Sequence, residues 1–351
     1  MMKKILLMTA IGMTTLLCET TYGNTASAST LSANTSSATT ETAQQLGVAV
    51  HIPSSGFNPL TATNGELKAH GFPTKPTNPS LLSAWKTAME HSKRFIIPTF
   101  KSVISTHHYT TNQSTASGSA SSHNWSGYYA YNGYNYNGYT DVRATWTVPN
   151  ATTGGPGGPN YQYSCTWVGI GGNGNPDLIQ MGTEADLTIT LRTYVMFPNY
   201  YPWFEILPKY PYQQDLTNMV ISAGDKMYAD VSYSNSTAYF YLVDETTNVA
   251  VSFSDSGDSS DYNGSTAEWI VERTEENNSY PHLTDFGSEV FTSAAAGSVT
   301  EPGPFAIGDW PNNELTMSED GLTMASANNP LTTVNSFTDY WKNYGNIDPV
   351  G

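Results

Sequence analysis

From residue 123 to the end of the chain, apolar and polar side chains alternate in short runs, with Gly, Pro, Asn and Asp between them. That period of two is the signature of half-buried strands. It predicts strands at 142–148, 188–195, 203–207, 227–233, 238–243, 250–254, 266–272, 288–292, 306–307, 314–317 and 323–326, after an aromatic stretch with Asn-Gly turns at 128–139. A loop rich in Gly and Pro is predicted at 151–160. No long amphipathic helix breaks the series and no internal repeat is visible, so the pattern predicts an all-β sandwich or barrel.

The stretch 161–184 predicts two strands around a turn at 171–176. Tyr163, Cys165, Trp167 and Gly169 share one face of the first strand, and Leu178, Gln180, Gly182 and Glu184 share one face of the second. Glycine inside a strand marks a place where another group comes close. Along 266–272, Thr266, Glu268, Ile270 and Glu272 share one face, and Ala267, Trp269 and Val271 form the core face. Along 203–207, Trp203, Glu205 and Leu207 oppose Phe204 and Ile206. One sheet face therefore gathers Gln180, Glu184, Trp203, Glu205 and Glu268. Alternation alone does not decide between a catalytic face and a solvated one.

The N-terminal third reads differently. Lys3 and Lys4, an apolar run at 5–17 and Ala26-Ser27-Ala28 predict a secretory signal over 1–28, so the protein is expected to be secreted and extracellular. The run is too short to span a membrane. Residues 29–43 and 110–122 are rich in Ser, Thr, Ala and Gly and predict exposed linkers, and 81–96 predicts a helix starting near Asn78 or Ser80. The expected division is a signal at 1–28, a prosegment and linker at 29–120, and a β domain at 121–351. The competing expectation is a separate small N-terminal domain.

Charge sharpens that division. Residues 29–120 carry six basic side chains against three acidic ones, a balance of +3. Residues 121–351 carry six against twenty-six, a balance of −20. So acidic a domain is a poor partner for nucleic acid. In acid its carboxylates become neutral and few cations remain to repel one another. One cysteine, Cys165, remains after the signal, so no internal disulfide is available and the core must hold the fold.

Elimination narrows the chemistry. The β domain has two histidines, His123 and His282, and contains no Gly-x-Ser-x-Gly and no His-Glu-x-x-His. Zinc chemistry lacks ligands, and Cys165 reads as core. Asp255-Ser256-Gly257 is a lone triplet in a Ser/Asp-rich turn, whereas a carboxylate dyad needs two such sites. Carboxylates and amides remain.

Eight motifs in order carry a resemblance: Asn124-Trp-Ser-Gly127, Ala144-Thr-Trp-Thr-Val-Pro149, Trp167-Val-Gly-Ile-Gly-Gly172, Leu178-Ile-Gln-Met-Gly182, Trp203-Phe-Glu205, Gly224-Asp225, Ala267-Glu-Trp-Ile-Val-Glu272, and Asp285-Phe-Gly287 with Phe291-Thr292. Together they resemble the glutamic peptidases, the eqolisin or G1 family of acid endopeptidases. The resemblance implies a concanavalin A-like β-sandwich of two antiparallel sheets with its active site on the concave face. It implies Gln180 and Glu268 as the catalytic pair and Trp125, Trp167, Glu184, Trp203 and Glu205 as cleft residues. It implies polypeptide substrates and neither metal nor cofactor. Ile179 replaces the family's leucine, Glu184 stands where fungal members carry an aspartate, and Gly171 stands where they usually carry another. The rival reading is a lectin or glycoside hydrolase on the same sandwich, which would use tryptophans and paired carboxylates equally well.

The charge contrast predicts that the basic prosegment docks over the acidic cleft as an inhibitor of a monomeric enzyme, with Lys93, Arg94 and Lys101 as contacts. Docking is expected to lower the pKa of cleft carboxylates and to fail as acid protonates them. Self-cleavage is then expected between residues 110 and 122.

Overall fold

A computed structural model describes residues 40–107, 120–131, 138–154, 161–189, 196–257, 262–346 and 348–349. The expected signal and nearly all of the expected linker lie outside these residues. Those described fall within one compact unit, Ala38–Gly351.

Two antiparallel layers form the β-sandwich. The first runs, neighbour to neighbour, through Asn312–Glu319, Trp125–Tyr131, Thr266–Glu272, Cys165–Gly171, Leu178–Ile189, Met196–Leu207 and Gln214–Leu216. The second runs through Ser288–Ser298, Tyr139–Thr147, Lys226–Ser234, Thr237–Asp244 and Val249–Ser256. Ser288–Ser298 belongs to both. Its first half pairs with Phe337–Trp341 and its second with Tyr139–Thr147. The register shifts between Thr292 and Ala295, where Ser293 has a φ of 54°. A bulge there lets one strand change sheets.

Alternation explains the core. Val168 and Ile170, Ile179 and Met181, Phe204 and Ile206, and Ala267, Trp269 and Val271 all point between the layers. There they meet Trp146, Phe240, Phe253 and Phe291. The two buried indoles that cross this core are satisfied: Trp146 Nε1 donates to Thr183 Oγ1 at 3.0 Å and Trp269 Nε1 to the Arg143 carbonyl at 2.9 Å. The opposite faces of the same first-layer strands are left to line the concave side.

The N-terminal segment is built into this sandwich. Thr99–Ser102 extends the first layer by pairing with Gln214–Leu216, and Ala49–Val50 and Arg94–Phe95 cap the edge of the second. The predicted helix is present as Pro79–His91, capped by Asn78, whose side chain accepts from Ser80 N–H. It stops five residues early because Arg94 and Phe95 are taken into strand pairing with Val249 and Ala250. Leu67, Phe72, Trp85, Ala88 and Met89 share a core with Tyr228, Tyr241, Val243 and Ala250 of the second layer. The segment completes its core with the sandwich, which replaces the expectation of a separate N-terminal domain.

Other boundaries shift. The strand expected at 203–207 is the end of the twelve-residue strand Met196–Leu207; of that expected at 188–195, the first two residues end Leu178–Ile189 and the rest lies outside the described residues. Residues 120–122, expected as linker, form a strand parallel to Leu315–Met317. Asp255 and Ser256, expected in a turn, end a strand instead. Asp255 is buried there, paired with Lys209 and accepting from Tyr210 Oη at 2.5 Å.

Candidate active site

Strand pairing brings the candidate residues into rows across the concave face. In one row Glu268, Gly169, Gln180 and Glu205 are consecutive partners on four adjacent strands. In the next stand Ile270, Trp167, Gly182 and Trp203, and in a third Trp125, Glu272, Cys165 and Glu184. Glu268 and Gln180 thus flank a strand whose residue between them has no side chain. A Cβ on Gly169 would lie 2.8 Å from Trp167 and 3.1 Å from Gln180. Gly182 plays the same part for Trp167: a Cβ there would meet Thr166 O at 2.4 Å and Trp167 Cβ at 2.5 Å. Gly182→Ala is therefore expected to destabilise the fold by about 1–3 kcal/mol through overpacking. Urea unfolding should show it as a lowered midpoint with unchanged slope.

All seven sequence-predicted site residues are gathered on this face, and all seven are buried. A cleft lined with accessible tryptophans was the expectation. The cover over its centre comes from the N-terminal segment, whose residues Val103–His107 cross the floor. Val103 N–H donates to the Gln213 carbonyl, Gln213 N–H to the Ser105 carbonyl, and Asn277 N–H to the Ile104 carbonyl. Ser105–Thr106 pairs as a strand with Glu275–Glu276. His107 then enters the site fully buried, its ring stacked on Trp203 at 3.8 Å and 6°. Nδ1 lies 3.1 Å from Glu272 Oε2 and Nε2 lies 2.5 Å from Gln213 Oε1. Its backbone N–H donates to Glu205 Oε2 at 3.2 Å, and its carbonyl accepts from Gln180 Nε2 at 3.3 Å.

Lys93 and Arg94 make no such contact. Both are exposed and form no ion pair among the described residues, so two of the three expected electrostatic contacts are replaced by strand pairing and one histidine. Lys101 does stand opposite Asp215 in the register.

The electrostatics follow from burial. Glu268 is held well above the usual carboxylate range by desolvation, against the opposing pull of Thr266 and the Asn173 backbone. Neither of its oxygens makes a hydrogen bond of ordinary geometry among the described residues. Burial, with Asp186 behind it, raises Glu184 well above its ordinary value. Burial lifts Glu205 to about 7, although His107 opposes the shift, and lifts Asp215 to about 6. Burial also pushes the Cys165 thiol up, reinforced by Glu184 and Glu272. For His107, burial disfavours the charged ring, but Glu272 and Glu205 outweigh it and the value rises. These carboxyls are raised by enclosure. The sequence-based expectation that docking lowers them is corrected, because desolvation exceeds the attraction of one imidazolium.

Residues not singled out from sequence complete the site. Glu272 accepts from Asn124 Nδ2 at 2.9 Å and from Trp167 Nε1 at 2.8 Å. Thr274 Oγ1 donates to Glu184 Oε2 at 3.1 Å. Gln180 Nε2 donates to Glu205 Oε2 at 2.8 Å. The face shared by Glu268 and Glu272 was a usable signal for Glu272. Gln213 and His107 had none. His107, Cys165 and Glu272 place ligand-type atoms within 4.8 Å of one another, the one such group among the described residues. The direct contact between His107 and Glu272 accounts for two of its members.

A sandwich whose concave floor sets a buried carboxyl and an amide on either side of a glycine has the layout of a hydrolase that works through carboxyl and amide groups. The profile of the Peptidase A4 family matches residues 123–334. The chain belongs to that family, and it is a glutamic endopeptidase. It is 30% identical to Aspergillopepsin-2 of Aspergillus niger over 220 residues, covering 56% of this chain and 72% of the relative. A solved structure, the enzymatically active domain of tailspike protein 2 of bacteriophage CBA120, overlaps with a TM-score of 0.27 and 13% identity. That overlap covers 59% of this chain and 29% of the other and is too slight to bear on the fold.

Proposed function

We propose that the chain is the precursor of a secreted, monomeric acid endopeptidase that uses Glu268 and Gln180 and needs no metal. In this reading residues 1–28 are a signal, 29–120 a prosegment and linker, and 121–351 the enzyme. The observation that carries it is the Glu268–Gly169–Gln180 row. Glu268 as a carboxylate takes a proton from water, and the water oxygen attacks the scissile carbonyl carbon. The Gln180 amide donates to the oxyanion, and the intermediate collapses as Glu268 returns the proton to the leaving amine. An amide suits acid because it does not titrate. Trp125, Trp167, Glu184, Trp203 and Glu205 hold the polypeptide substrate. The basic prosegment inhibits by seating His107 on this floor, against Trp203, Glu272 and Gln213.

No helix of the described residues is long and apolar enough to cross a membrane. The reading is tested with processed enzyme and denatured protein substrate near pH 3. Release of peptides that neither a chelator nor pepstatin suppresses is the expected result. Release abolished by the chelator would overturn the metal-free mechanism, and chelator-sensitive sugar binding without peptide release would favour the lectin.

A further inference from the structure

The segment that blocks the site does so in the manner of a substrate. Its backbone is extended and paired on both sides, through Gln213 and through Glu275–Asn277. Peptides recognised by strand addition take affinity from such bonds and specificity from the pockets that receive alternate side chains. One side chain here is received in detail. Trp203 provides a flat wall for a planar ring. Two acceptors then face the two nitrogens of that ring from different sides, Glu272 Oε2 at Nδ1 and Gln213 Oε1 at Nε2.

Both acceptors are fixed by their own partners. Asn124 and Trp167 hold Glu272. Gln213 donates its Nε2 to Asp215 Oδ1 at 2.7 Å, which turns its carbonyl toward the ring. Glu184 Oε1 lies a further 3.7 Å from Nε2. Neutral imidazole offers one donor and one acceptor, whereas imidazolium offers two donors. A pocket with an acceptor at each nitrogen matches the second form. The carbonyl of the same residue accepts from Gln180, the amide assigned to the oxyanion.

We propose that Trp203, Glu272 and Gln213 form a specificity subsite for a histidine side chain on the residue whose carbonyl is attacked, so that the enzyme prefers to cut polypeptides after histidine. This rests on the reading of Gln180 and Glu268 above and adds the substrate class to it. In the cut the water oxygen joins the histidine carbonyl carbon, and the next residue leaves as an amine carrying the proton. Phenylalanine would stack on Trp203 yet offer no donor to Glu272 or Gln213, and lysine would reach only one of them.

The test uses processed enzyme at about pH 4, where a free imidazole with pKa ≈ 6.5 is charged. Quenched fluorescent peptides differ only at one position, bearing His, Arg, Lys, Phe or Ala, and mass spectrometry locates each cut. The His peptide is expected to exceed the Phe peptide in kcat/KM on the order of 10²-fold, because a site built to hydrogen-bond rejects an analogue that cannot. Gln213→Leu should bring that ratio down by about tenfold or more. Glu268→Gln separates the two claims. If cutting depends on Glu268 but His and Phe are cut equally, or if the preferred His lies elsewhere than at the new C-terminus, the subsite is overturned and the catalytic reading stands. If no peptide is cut in a Glu268-dependent way, both fall.

Discussion

Glu268→Gln enzyme, trimmed from its precursor by a trace of wild type and then purified, is expected to hydrolyse peptides on the order of 10²–10⁴-fold more slowly than wild type, the contribution of one placed general base. The substitution keeps the volume of a fully buried side chain and removes only its ability to take a proton. Gln180→Ala removes the donor facing the oxyanion, a loss of about 2.7–4 kcal/mol in comparable sites and hence on the order of 10²–10³ in kcat. Both effects should fall on kcat more than on KM, because the interactions mature in the transition state. The double variant should lose less than the product of the two, since water activated by Glu268 and oriented toward Gln180 is a single device. Circular dichroism controls the fold. A folded variant that kept a tenth of the wild-type rate would remove that residue from the mechanism.

The floor of this site was legible because strand side chains alternate with a fixed period. Gln180, Gly182 and Glu184 can only share a face, and Ala267, Trp269 and Val271 can only oppose Glu268. What alternation cannot supply is which strands are neighbours. Thr266–Glu272 lies beside Cys165–Gly171, about a hundred residues earlier, and that pairing alone sets Glu268 and Gln180 across Gly169. The resemblance to glutamic peptidases supplied the pair without supplying the reason, which is the missing side chain between them. Boundaries failed where tertiary pairing overrode local pattern: the helix gives up Arg94 and Phe95 to an edge strand, and Asp255, itself buried, ends a strand where it meets Lys209 and Tyr210. Burial of the site was illegible because its cover comes from a distant segment. The charge contrast pointed to docking, but of its three expected contacts Lys101 alone stands opposite a carboxylate, Asp215, among the described residues. Lys93 and Arg94 dominate a charge count, while His107 has no pattern around it and acts through one ring seated among Trp203, Glu272 and Gln213.

Precursor carrying His107→Ala is therefore expected to lose its inhibition while Lys93→Ala and Arg94→Ala precursors keep theirs. Removing one member of a buried charge pair costs about 3–5 kcal/mol, so the segment should leave the cleft on the order of 10²–10³-fold more often, and processing by added wild-type enzyme should accelerate accordingly. The pH dependence has a definite sign. The ring's value is raised on docking by Glu272 and Glu205, against the cost of burial. Its contribution is full below the free value of about 6.5 and is lost as pH rises through the raised value. Glu205 and Asp215, lifted to about 7 and about 6 by burial, act in the same direction, since enclosing them is easiest once they are protonated. Burial raises Glu184 and the Cys165 thiol above their ordinary values as well. Mild acid thus holds the segment in place, with the charged ring 3.1 Å from Glu272 Oε2. Release of a Glu268→Gln precursor's segment, followed by tryptophan fluorescence against pH, should show a docked plateau in mild acid that is lost as pH rises through the raised His107 value, and His107→Ala should abolish the plateau. A wild-type signal that instead rose steadily with acid from pH 7, or a His107→Ala precursor as tightly closed as wild type, would place the inhibitory contact elsewhere.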